Sequence, residues 1–166
     1  MTEPIVVNAI PVVGVSEELF PIPEFLNDMD VRAVGRRRWM LLRPLAYVTY
    51  VRGYPQLITM QVGYVSDLSS IPWWARTAIP VNDYHRWAGF VHDWLFDHQE
   101  FHDFSREEVD AIFLEAMEIF PDLKEWRIHA MHAGVRIGAG RAWRNNPSHG
   151  RRDPDLVMAQ PVRWAP

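Results

Sequence analysis

His92 and Asp93 stand side by side inside Gly89-Phe90-Val91-His92-Asp93-Trp94-Leu95-Phe96, an otherwise apolar and aromatic run. Burying an ionisable side chain costs several kcal/mol unless it finds a partner. A chain keeps such a pair where it binds a metal, does proton chemistry or anchors a network of core hydrogen bonds. Neighbours on a helix project about 100° apart, so these two cannot serve each other and each must reach another element. Asp110, one residue past Val109 at the border of an apolar stripe, is the best partner for His92. A buried aspartate that accepts an imidazole N–H fixes its tautomer and raises its basicity, which would make His92 a general base and Asp110 its orienting group.

Asp67 stands where strand-like sequence gives way to helix-like sequence, and joins Asp93 as a candidate cation ligand. Two carboxylates with backbone oxygens suit calcium or magnesium, whereas His92 with Asp67 and Asp93 suits zinc or manganese. The same residues also describe a helix pinned by core hydrogen bonds, with Asp67 capping a nearby helix, because buried polar groups are paired whether or not they do chemistry.

The other candidates are weaker. His129, His132 and Arg136 share a helical face, but no glutamate completes a His-Glu-x-x-His pattern. His98, His102 and Asp103 read as surface. Trp73, Trp74, Trp87 and Trp94 read as core and interface anchors rather than a stacking platform. No Gly-rich phosphate loop, nucleophile elbow or dinucleotide fingerprint occurs in the sequence.

The elements that must position these residues divide the 166-residue chain into three parts. Residues 1–30 form an extended arm, punctuated by Pro4, Pro11, Pro21 and Pro23, with one short strand expected at Ile5–Val7. Residues 31–143 form one α+β domain. Its strands are expected at Trp39–Leu42, Ala46–Val51 and Leu57–Val62, joined at Arg43-Pro44 and Gly53-Tyr54-Pro55 into a small antiparallel meander over about residues 39–65. Three to four packed helices follow. One opens at Ser69 or Ser70 with Pro72 in its first turn. One spans Tyr84–His98, apolar nearly all round and therefore buried. One is marked by the capping box Ser105-Arg106-Glu107-Glu108 and closed by Pro121, and one covers Leu123–Trp143. Residues 144–166 form an extended tail. The two ends bury too little surface to fold alone, so with Phe20, Phe25 and Trp164 as anchors they read as arms that wrap a neighbour.

Composition narrows the function classes. The sequence has no cysteine, which removes disulfides and thiolate metal sites. No segment approaches the roughly 20 apolar residues of a membrane span, and no signal peptide is visible at the start. The net charge of −4 hides a split: residues 1–30 carry six acids and no base, while residues 31–62 carry six arginines and no acid. That split favours pairing within or between subunits over nucleic-acid binding, for which a broad basic face is missing.

Three motifs carry a family resemblance. Gly63-Tyr64-Val65-Ser66-Asp67-Leu68-Ser69-Ser70-Ile71-Pro72 resembles the Gly-Phe-x-Thr-Asp-Leu-Ala-Ser-x-Pro signature of a phage and prophage family known as domain of unknown function 1353. Val91-His92-Asp93-Trp94-Leu95-Phe96 is similar to its Leu-His-Asp-Trp-Leu-Tyr block, and Arg106 to Phe113 to its Arg-x-x-Ala-Asp-x-x-Phe helix. Val135-Arg136 and Gly138 correspond to a last aromatic-rich helix. The resemblance spans about residues 37–143, with Ser66 for Thr, Val109 for Ala and Phe96 for Tyr as departures. It implies a phage or prophage origin and supplies no activity. In layout the set is also similar to secreted phospholipases, which would imply His92 as base, Asp93 as calcium ligand and Asp110 as orienter; the calcium-loop glycines and disulfides of those enzymes are missing.

Two functions are therefore expected. The first is a virion-associated structural or accessory protein of the tail, neck or capsid region, made in the bacterial host cytoplasm. Its arms dock on other phage structural proteins or on further copies of itself. The alternative is a small His-Asp metal-assisted hydrolase acting on envelope lipid or peptidoglycan. It requires His92, Asp93, Asp110 and Asp67 to converge on one accessible point, together with a divalent cation such as calcium or zinc.

Overall fold

Two small antiparallel sheets and three helices make up the described part of the chain, residues 13–36, 38–68, 85–99 and 102–145 of the computed structural model. The expected strand at Ile5–Val7, the helix opening at Ser69 or Ser70, Trp73, Trp74, Trp164 and nearly all of the tail lie outside these residues.

The first sheet is built on a hairpin of β5 (Leu45–Thr49) and β6 (Gln56–Met60), in register from Leu45↔Met60 to Thr49↔Gln56. Burial alternates along β6, so Gln56, Ile58 and Met60 face inward, as the two-residue period of a strand requires. At the turn Gly53 takes φ 79° and its N–H bonds to Tyr50 O at 2.7 Å. Residues 13–30 lie along this sheet and add a two-residue strand to each of its outer edges. β1 (Val13–Gly14) pairs with β6 and β2 (Glu24–Phe25) pairs with β5. Phe25 then fills the space between Tyr47, Trp87 and Phe120, with ring centroids 4.7, 5.0 and 5.9 Å away.

The second sheet has the order β3–β4–β7, with β3 at Val31–Gly35, β4 at Arg38–Leu41 and β7 at Val65–Ser66. All three strands of the expected meander exist, yet the first belongs to this second sheet and not beside β5. The cause lies at the corner between β4 and β5. Pro44 has no N–H to offer a neighbouring strand. The Asn27 side chain occupies the remaining groups, donating to Pro44 O at 2.8 Å and accepting from Ala46 N–H at 3.0 Å. Leu41 meanwhile exchanges bonds with the turn before β7, its N–H to Tyr64 O and its O from Gly63 N–H.

Helix α1 (His85–Asp97) is buried on nearly every side, α2 (Arg106–Glu118) packs against it, and α3 (Glu125–Asn145) packs on α2. The core joins Leu41, Leu45, Tyr47, Ile58 and Met60 from the sheets to Phe90, Trp94, Ile112, Phe113 and Met131 from the helices. The capping box is present: Ser105 Oγ accepts from Glu108 N–H and Glu108 Oε2 accepts from Ser105 N–H. Glu108 has a second task. Arg52, just beyond β5, donates to both of its oxygens at 2.7 and 3.0 Å, donates to Asp103, and lies 4.6 Å over the Phe104 ring.

Arg52 holds the Glu108 carboxyl down at about 2, below its ordinary value of 4.5. A carboxylate lowered by folding stabilises the fold at every pH above its unfolded value, and the contribution disappears as pH falls through the folded value. The difference in thermal midpoint between the native chain and Glu108→Gln should therefore be full near pH 6 and close as pH falls toward about 2. A gap that stays constant over that range would contradict the assignment.

Candidate functional site

His92 and Asp93 leave α1 in different directions and are met by different elements. The His92 ring is fully buried against Phe96 of its own helix and Phe113 of α2, with centroids 4.3 and 5.2 Å away. Its Nε2 lies 3.1 Å from Asp110 Oδ1 on α2, and Asp110 is also fully buried. A carboxylate can only accept, so Nε2 carries the proton in this contact.

The second oxygen of Asp110 lies 3.4 Å from Arg106 Nη2, one helical turn earlier. The same guanidinium nitrogen donates to the Arg136 carbonyl of α3. Gly140 makes room for it: a Cβ there would come within 2.9 Å of Arg106 Nη1. The result is a chain of charge-assisted contacts running His92, Asp110, Arg106, Arg136 O, which crosses all three helices. His132, near Asp110 on α3, has its imidazole pushed down chiefly by burial and further by Arg136 and His129, against an opposing pull from Asp110.

Asp93 faces the sheet. Ser66 Oγ donates to Asp93 Oδ2 at 2.5 Å and accepts from Leu68 N–H at 3.0 Å. Leu68 sits at φ 52°, left-handed backbone that a side chain disfavours. Its side chain packs so closely on α1 that a Cβ at Gly89 would lie 2.8 Å from Leu68 Cδ2. Asp67, between Ser66 and Leu68, is exposed. Tyr64 donates to Asp97 Oδ2 at 2.9 Å, and its hydroxyl is pushed well up by burial first, then by the charges of Asp97, Asp93 and Asp67.

The structure thus brings His92 and Asp110 into direct contact, ties Asp93 to Ser66 on the opposite side, and leaves Asp67 at the surface. Among the described residues no group of three or more His, Asp or Glu side chains is gathered closely enough to hold a metal ion. Ser66, Arg106 and Gly140 are the participants that sequence reasoning did not single out. The Arg106–Asp110 spacing of one helical turn was the available signal, and Ser66 was visible as the hydroxyl position of the first motif. His98 and His102 are half-buried rather than superficial. His98 Nδ1 bonds Trp94 O at 2.9 Å, and His102 is set between Leu95 O at 2.8 Å and Phe104 N–H at 3.2 Å.

Fold and site together define an α+β domain whose most chemical residues are spent on a buried polar brace between helices and sheet. The chain belongs to the family described as Protein of unknown function (DUF1353), whose profile matches residues 39–135, more than half of the sequence. That span contains His92, Asp93, Asp110, Ser66 and Arg106, while Arg136 and Gly140 lie just beyond it. No characterised protein and no solved structure matches the chain.

His92→Ala leaves the buried Asp110 and Arg106 with a broken chain and should lower the unfolding free energy by about 1–3 kcal/mol in denaturant titrations. Asp110→Ala should do the same, and the double variant should lose less than the sum of the two. Simple additivity would show that the two side chains act independently.

Proposed function

We propose that this protein is a virion-associated structural or accessory component of a phage particle, in the tail, neck or capsid region, that docks on neighbouring subunits through its N-terminal segment. The observation that carries the reading is the contrast between interior and surface. His92, Asp93 and Asp110 are engaged inside the fold, whereas Leu19 and Ile22 stand 72% and 60% exposed among the acids of residues 16–30. Exposed apolar side chains set among charges suit a protein–protein contact. On α3, Trp126 and Ile137 add a second exposed apolar pair.

The phage setting comes from the motif resemblance, and the chemistry of the surface agrees with a protein partner. A formal charge of −4 argues against nucleic acid, and no described helix is long and apolar enough to cross a membrane. The hydrolase alternative needs His92 to reach a substrate, and the imidazole is enclosed by Phe96, Phe113 and Asp110.

Limited trypsin digestion checks the proposal, because Arg32, Arg36 and Arg38 are exposed beside the N-terminal segment. Kept dilute in about 0.5 M salt, the purified chain should be cut there quickly, and the same bonds should be protected in purified particles. Equal cleavage in both settings, or particles without any peptide of this chain by mass spectrometry, would overturn it.

A further inference from the structure

The charge split of the sequence becomes two distinct surfaces in the fold. One is the segment from Ser16 to Asp30, where Glu17, Glu18, Asp28 and Asp30 are exposed together with Leu19 and Ile22. The other is the hairpin of β3 and β4. β3 is an outer strand of its sheet, and every residue from Arg32 to Arg36 is exposed. Both faces of this strand and its outer edge therefore stand in solvent. The pairing with β4 puts Arg32 and Gly35 on one face and Ala33 on the other, and Val34, 42% exposed, is the extra residue of a bulge between them. Arg36 and Arg38 follow at the tip.

An exposed edge strand is a template for pairing, and proteins commonly guard it with charge of one sign. Arginines repel another copy of the same edge but attract an acidic segment. Within one copy the two blocks hardly meet: Arg43 reaches Asp30 at 3.7 Å with both partners largely exposed, and among the described residues Arg32, Arg36 and Arg38 form no ion pair.

We infer that the β3–β4 hairpin is the docking surface for the acidic segment, residues 17–30, of a second copy of this chain. Glu17 and Glu18 of one copy meet Arg36 and Arg38 of the next, while Leu19 and Ile22 cover Val34. A second copy fits better than a phosphate polymer, because Asp30 directly precedes the strand and the net charge of −4 repels nucleic acid at range. Each copy keeps one surface of each kind, so the contact gives a two-fold pair when it is reciprocal, a ring when the rotation closes and an open filament when it does not. The inference deepens the docking reading above and rests on it, naming the partner and both faces of the contact.

Sedimentation and light scattering of the full chain test it directly. Association should be strong at about 0.05 M salt and weaken by about tenfold or more at about 0.5 M, as screening removes the charge term. Glu17→Lys/Glu18→Lys and Arg36→Glu/Arg38→Glu should each weaken self-association by a similar factor, without changing the circular dichroism of these exposed sites. An equimolar mixture of the two variants should restore a mixed complex, because lysines then face glutamates. A native chain that stays monomeric up to about 100 µM at low salt would overturn the inference. So would association indifferent to both swaps. If the native chain is monomeric but Arg36→Glu/Arg38→Glu abolishes retention on a DNA duplex, the hairpin is a nucleic-acid surface and the inference falls. A monomeric chain that is nevertheless protected from trypsin in particles would sink this inference alone and leave the docking reading standing.

Discussion

A carboxylate held away from water dictates much of this structure. Asp110 is fully buried, and a buried anion is tolerated only when opposite charge and hydrogen-bond donors surround it. His92 supplies one donor from α1 and Arg106 supplies a cation from one turn earlier on α2. Because Arg106 also reaches the Arg136 carbonyl, the contacts around one carboxylate tie three helices together, with Asp110 Oδ2 held by the ion pair and not by a hydrogen bond. Apolar packing of Phe90, Ile112 and Met131 supplies the bulk of the driving force, but such contacts tolerate sliding. The polar chain selects one arrangement among many that would bury similar area.

The adjacent residue does for the sheet what His92 does for the helices. Asp93 reaches Ser66, and Ser66 in turn holds the backbone of Leu68. Consecutive residues of one buried helix therefore tie it on two sides, to α2 through the imidazole and to β7 through the carboxylate. That double role explains why the ionisable pair sits in a run that is otherwise aromatic. The position of Ser66 uses its hydroxyl twice, as donor to Asp93 and as acceptor from Leu68 N–H.

Helices were the most legible part of the sequence, since their signals are local. Ser105 and Glu108 cap α2, and Val109, Ile112, Phe113 and Ala116 face the core at helical spacing. The His92–Asp110 contact was also legible, because a buried imidazole on one helix needs an acceptor and Asp110 borders the right stripe. Sheet membership was not legible. Strands at Arg38–Leu41 and Leu45–Thr49 look like neighbours in the sequence, and the contacts that assign them to two sheets come from distant Asn27 and from the turn at Gly63 and Tyr64. Arg52 was hidden for the same reason, as its partners Asp103 and Glu108 lie some fifty residues away. Long-range polar contacts leave no periodicity to read.

Leu68 and Gly89 show an exchange across an interface. A chain bending through left-handed backbone normally places glycine at the bend, which avoids a cost of about 1–2 kcal/mol. Here the bend carries leucine at φ 52° and the glycine sits opposite, on the helix that the leucine touches. The smallest residue has been moved from the place of backbone stress to the place of side-chain crowding. The bend thereby gains an apolar plug that a glycine could not offer. The two positions behave as a lock and its keyhole, so a change at either one redefines what the other is permitted to be.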